Sequence, residues 1–129
     1  MATRLRRRLE TLRTFFDSPN VREINNRQVI SDTSFHLAYY ANTEITYETC
    51  VGVRSVLFEQ LRLYNTIPTD NIAALFPDIE LGEVYFEIGE KFGVLFLDGT
   101  INHSDGTVDS LIRETQRLLN ERRLRISTD

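Results

Sequence analysis

Glu83–Leu97 reads EVYFEIGEKFGVLFL, and the fold turns on how this stretch is read. Val84, Phe86 and Ile88 alternate with Glu83, Tyr85 and Glu87, the period-two pattern of a strand with one buried face. Gly89-Glu90-Lys91 supplies a hairpin loop. Phe92–Leu97 is then apolar on both faces, as expected of a strand inside a sheet. The stretch predicts a β-hairpin.

Working outward, Ser34–Ala41 (SFHLAYYA) sets Phe35, Leu37 and Tyr39 against His36, Ala38 and Tyr40, which predicts another strand. Glu44–Thr49 alternates in the same way, although a helix beginning at Thr43 competes with that reading. Asn20–Thr33 is a polar connection with a short strand near Gln28–Ile30. Helices are expected from about Thr3 to Phe16, ended by Ser18-Pro19-Asn20, and from about Val53 to Tyr64. In the second of these, Cys50, Val53, Leu57, Leu61 and Tyr64 make one apolar face. A single helical turn is expected at Asn71–Leu75. A last helix, about Thr107–Arg123, places Val108, Leu111, Ile112, Thr115 and Leu119 together. The sum is one α+β domain over residues 1–129, a single antiparallel sheet of four to five strands packed against N-terminal, central and C-terminal helices.

Composition is that of an ordinary soluble globular domain, 41% hydrophobic and 26% charged over 129 residues. No apolar run approaches the ~20 residues of a membrane helix. The Arg-rich N-terminus lacks the apolar core of a signal peptide, and Cys50 is the one cysteine, so a reducing, cytoplasmic setting is expected. The net charge of −4 conceals a segregation. Residues 1–28 sum to +4, residues 29–110 to −10 and residues 111–129 to +2.

Phe92–Ser110 (FGVLFLDGTINHSDGTVDS) carries Asp-Gly-Thr twice, which looks like the haloacid-dehalogenase nucleophile motif D-x-D-G-T. Phe96 and His103 stand where the first Asp of that motif would be, so the nucleophile is missing. Turn chemistry accounts for both repeats: Asp98-Gly99-Thr100 ends a strand, and Ser104, Asp105 or Thr107 caps the next helix. An EF-hand fails because the carboxylates do not precede the glycine at alternating spacing. Asn102-His103-Ser104 fits a glycosylation acceptor, without a secretory signal to support it. His36, His103 and Cys50 are not paired at metal-ligand spacing, so no metal and no cofactor are expected. Cys50 with His36 as a nucleophile pair is weighed against Cys50 as a small buried hydrophobe, and the second is the expectation.

Arg6, Arg7 and Arg13 lie off the stripe of Leu5, Leu9, Leu12 and Phe16. They suit a solvated or ion-paired face, a protein partner, or contact with nucleic acid or an anionic surface. The order of elements, the acidic body and the Gly-Glu-Lys hairpin before an amphipathic last helix resemble the type III secretion chaperones over roughly Leu81–Asn120. That resemblance implies a homodimer that binds a segment of another chain without catalysis. The expected function is therefore a non-enzymatic protein-binding module (chaperone, adaptor or assembly component). In Phe92–Leu97, Val94 and Phe96 point one way while Leu95 and Leu97 point the other. Helices cover one face of such a sheet, which leaves Tyr40, Tyr85, Val94 and Phe96 as the expected partner-binding residues of a homodimer or an equivalent complex, although a one-residue slip of register exchanges the faces.

Overall fold

Leu81–Phe92 is a helix, and the predicted hairpin does not form. The computed structural model describes residues 19–128, and these run as helix after helix. They are α1 (Pro19–Asn25), α2 (Asp32–Tyr40), α3 (Tyr47–Leu61), α4 (Ile72–Leu75), α5 (Leu81–Phe92), α6 (Asp98–His103) and α7 (Val108–Thr128). Among the described residues there is no sheet, and the one pairing of β type is an isolated bridge between Asn71 and Thr107. The expected α+β fold with a sheet of four to five strands is thus corrected to a helical fold.

The reason is visible in α5. Leu81, Val84, Tyr85, Ile88 and Phe92 recur at three-, one-, three- and four-residue steps, a stripe of period 3.6. Val84, Tyr85 and Ile88 are buried, while Phe86, expected inside by alternation, stands outside. Gly-Glu-Lys continues the helix, with Lys91 favourably placed in its last turn. The stop comes at Gly93, whose φ of 69° is the left-handed conformation that glycine adopts without a Cβ penalty.

α2 and α3 replace two further predicted strands, and both carry side-chain caps. Ser31 Oγ accepts from the Ser34 amide at 3.1 Å, and Thr46 Oγ1 accepts from the Thr49 amide at 3.2 Å. Each cap satisfies an amide that the first helical turn leaves without an intrahelical partner. Asp32 and Glu48 sit in those first turns, where the helix dipole favours negative charge. In α2 the buried residues are Phe35 and Tyr40, and Leu37 faces solvent. The helix that competes with the strand at Glu44–Thr49 wins, starting at Tyr47. Pro19 opens α1, a first-turn position where its missing N–H costs nothing. Gln28–Ile30 has no strand partner among the described residues.

α3 is the central element and packs against α2, α5 and α7. Cys50, Val53, Leu57 and Leu61 are all fully buried along its inner face. α3 and α5 approach closely at Gly52, where an added Cβ would lie 2.1 Å from Cζ of Phe92. α7 contributes Val108, Leu111, Ile112, Thr115 and Leu119, as its spacing predicts. The fully buried Gln116 joins α7 to the start of α3: its Oε1 accepts from the Thr46 amide (2.9 Å) and from Thr49 Oγ1 (2.7 Å). On the opposite flank Arg27 donates both terminal nitrogens to Asp70, at 2.7 and 2.8 Å, and so ties the segment after α1 to the loop before α4.

Candidate functional site

After Gly93 the chain folds back along α5. The Val94 amide donates to the Gly89 carbonyl at 3.0 Å, and residues 94–97 form neither helix nor strand, have no strand partner among the described residues, and end extended at Leu97. Alternation does hold over these four residues. Phe96 turns inward onto Tyr85, with ring centroids 4.8 Å apart, and Val94 is half-buried beside it. Leu95 is 77% exposed and Leu97 67% exposed. α6 follows at once and packs against α5.

Between α5, residues 94–97 and α6 lies a groove of about 610 Å³. Tyr85, Phe86, Val94, Leu95, Phe96 and Ile101 supply its apolar lining, and Phe86 is 59% exposed there. The charged lining residues are both acidic, Glu90 and Asp98. The Tyr85 hydroxyl is already committed, donating to Ser104 Oγ at 2.8 Å, and burial pushes its pKa up. Among the described residues that line the groove there is no Cys, Ser, Thr, His, Lys or Arg. What it offers is ring and aliphatic carbon edged by carboxylates, a surface suited to docking apolar side chains.

Of the four residues expected to bind a partner, Tyr85, Val94 and Phe96 line this groove on a helix and a return segment rather than on a sheet, but Tyr85 and Phe96 are buried against each other and the pair that faces out is Leu95 and Leu97. Tyr40 does not join them. It is buried in the core, donates to Asp109 Oδ1 at 2.6 Å and has the Arg113 guanidinium over its ring at 5.6 Å. Burial and the bond to Asp109 raise its pKa steeply. Arg6, Arg7 and Arg13 lie outside the described residues. Phe86 and Ile101 are groove residues that alternation misassigns or passes over; the helical spacing of α5 is the signal that finds Phe86.

The other candidate residues stand elsewhere in the fold. Cys50 is fully buried, and burial, opposed by the Arg54 charge, pushes its thiol up to about 11. The His36 ring nitrogen Nε2 is engaged by the Ile45 carbonyl at 2.8 Å. Asp98-Gly99-Thr100 does not end a strand but opens α6, and Gly99 is not a positive-φ glycine. Asp105-Gly106-Thr107 is the turn its sequence suggests: Gly106 has a φ of 81°, and Thr107 Oγ1 accepts from the Ser110 amide at 3.1 Å. Asp105 Oδ1 braces that cap, accepting from Ser110 Oγ at 2.6 Å and from the Thr107 amide at 2.9 Å, which lowers its pKa. Among the described residues no three His, Cys, Asp or Glu side chains gather as a metal site, and no helix is long and apolar enough to cross a membrane.

No family model, no curated protein and no solved structure matches the chain.

Proposed function

We propose that the protein is a non-enzymatic binding module of chaperone, adaptor or assembly type that seats an apolar segment of a protein chain, a second copy included, in the groove beside α5. The observation that carries this reading is the contiguity of Phe86, Leu95 and the half-buried Val94 around one open groove. Large apolar side chains exposed singly are ordinary, whereas a contiguous set around a concavity is the usual mark of an interaction site. The exposed Phe86 ring supports the same reading, because an aromatic side chain gives large contact area at low entropic cost. A single buried cysteine suits a cytoplasmic setting.

The test compares the wild type with Phe86→Glu and Leu95→Glu. Both positions are exposed, so both variants are expected to keep the wild-type circular dichroism spectrum. Light scattering on a sizing column, together with affinity capture from the native host, should show a stoichiometric partner or a second copy. Either substitution should release it. A wild type that is monomeric, and that retains the same proteins as both variants, overturns the proposal.

A further inference from the structure

We infer that the partner at this groove is a second copy of the chain, and that the two copies meet across a two-fold axis through residues 93–98; the inference rests on the docking reading above and names the partner.

The chemistry along this segment is ordered. At its start sits Arg122 of α7, whose Nη1 donates to the Phe92 carbonyl at 3.1 Å and to the Gly93 carbonyl at 3.2 Å. At its end stands Asp98, the first residue of α6. Between them Leu95 and Leu97 face out, and Leu95 shares the groove with the exposed Phe86. Arg122 and Asp98 are both exposed, and among the described residues neither forms an ion pair. Glu90 and Lys91, in the last turn of α5, offset each other in charge. The patch therefore runs from a guanidinium, through two leucines, to a carboxylate.

A two-fold axis makes a surface meet itself, so that residue i of one copy faces j of the other and j faces i. A patch charged with one sign repels itself under that operation. A patch with opposite charges at its two ends complements itself. Rotation about an axis near Leu95 and Phe96 sets the Arg122 end of each copy against the Asp98 end of the other, with leucine against leucine between. From Gly93 to Asp98 the chain reaches at most about 17 Å, so both ion pairs fall within one small contact. The apolar middle supplies attraction, and the charged ends fix register and orientation. With Nη1 engaged by the two carbonyls, Arg122 keeps Nε and Nη2 as donors for a carboxylate. An unrelated partner would have to bring both charges in matching order, whereas a second copy carries them already.

The experiment mixes two full-length variants, Asp98→Arg and Arg122→Asp. Each alone opposes like charges at both ends of the contact and should weaken self-association by at least about tenfold, read by light scattering on a sizing column. Mixed in equal amounts, they should recover the dimer, because each supplies the charge that the other lacks. Circular dichroism checks the fold of both, since Arg122 also caps α5. Leu95→Cys leaves both charges in place and gives a second readout. Under oxidised glutathione it should form a disulfide between copies at least about tenfold faster than Leu37→Cys on the exposed face of α2; the native Cys50 is buried. A monomeric wild type, equal cross-linking rates, or a dimer indifferent to both charge variants overturns the inference. If, in that case, Leu95→Glu still releases a captured protein, the docking module stands with a different partner. If Leu95→Glu changes neither assembly nor capture, the module reading fails as well.

Discussion

Gly89→Ala separates the helical account of Glu83–Leu97 from the hairpin account. In the middle of a helix, replacing Gly by Ala ordinarily stabilises by about 1 kcal/mol. At position 89 the added methyl would sit 2.5 Å from the Val94 carbonyl oxygen, against 3.4 Å or more for ordinary contact. That oxygen is backbone, so relief requires residues 94–97 to lift. Lifting them breaks the bond from the Val94 amide to the Gly89 carbonyl and pulls Phe96 off Tyr85. Overpacking of this kind costs about 1–3 kcal/mol, which outweighs the gain in propensity. Gly82 on the same helix is the matched control, since its nearest neighbour would lie at 3.9 Å. Gly82→Ala should therefore be neutral or stabilising by up to about 1 kcal/mol. Urea unfolding followed by circular dichroism reads both variants. Opposite signs support the return of residues 94–97 against Gly89; equal stabilisation of both would refute it.

Other consequences concern the core and its polar ties. Leu57→Ala truncates a fully buried residue at the centre of α3 and should cost about 2–5 kcal/mol in the same assay, and an unchanged midpoint would mean that α3 is docked differently. Gln116→Leu leaves the Thr46 amide and the Thr49 hydroxyl without their acceptor and should cost about 1–3 kcal/mol; Thr49→Val in the same background should then cost little more. Asp105 has a lowered pKa in the folded chain, so its contribution is present above its ordinary value of 3.8 and is lost as pH falls through the folded value. The melting-temperature gap between wild type and Asp105→Ala should accordingly be widest above about pH 4 and narrow on acidification, and a gap independent of pH would remove the charged cap from the account.

The sequence reading succeeds where a pattern is long. α7 shows Val108, Leu111, Ile112, Thr115 and Leu119 at helical spacing, and α3 shows Cys50, Val53, Leu57 and Leu61, so both faces are legible, although α3 begins at Tyr47 rather than Val53 and Tyr64, expected on its face, lies beyond it and is exposed. It fails where the apolar run is short. Three alternating residues such as Val84, Phe86 and Ile88 fit a strand, but Val84 and Ile88 are also one helical turn apart. Tertiary packing chose Tyr85 over Phe86 as the third member of the face. The caps carry the information that alternation lacks. Ser31 and Thr46 stand immediately before α2 and α3, each with an acid in the following turn, and that signal favours helices at both places. Groove residues were partly legible for a related reason. In residues 94–97 the alternation is real and pairs Val94 with Phe96 and Leu95 with Leu97, but it is the second pair that faces out, the reverse of the face expected to bind a partner. Tyr40 was misplaced because a helix carries it into the core toward Asp109, a partner 69 positions away that no local pattern reveals.

The groove exists only if α5 is a helix that ends at Gly93 and is followed by an unpaired return. Backbone nuclear magnetic resonance over residues 81–97 measures this directly. Helical Cα shifts and sequential amide contacts are expected through Leu81–Phe92, with no helical shifts at residues 94–97 and a contact between the Tyr85 and Phe96 rings. Extended shifts at Glu83–Ile88, with cross-strand amide contacts to Phe92–Leu97, would contradict it and restore the hairpin.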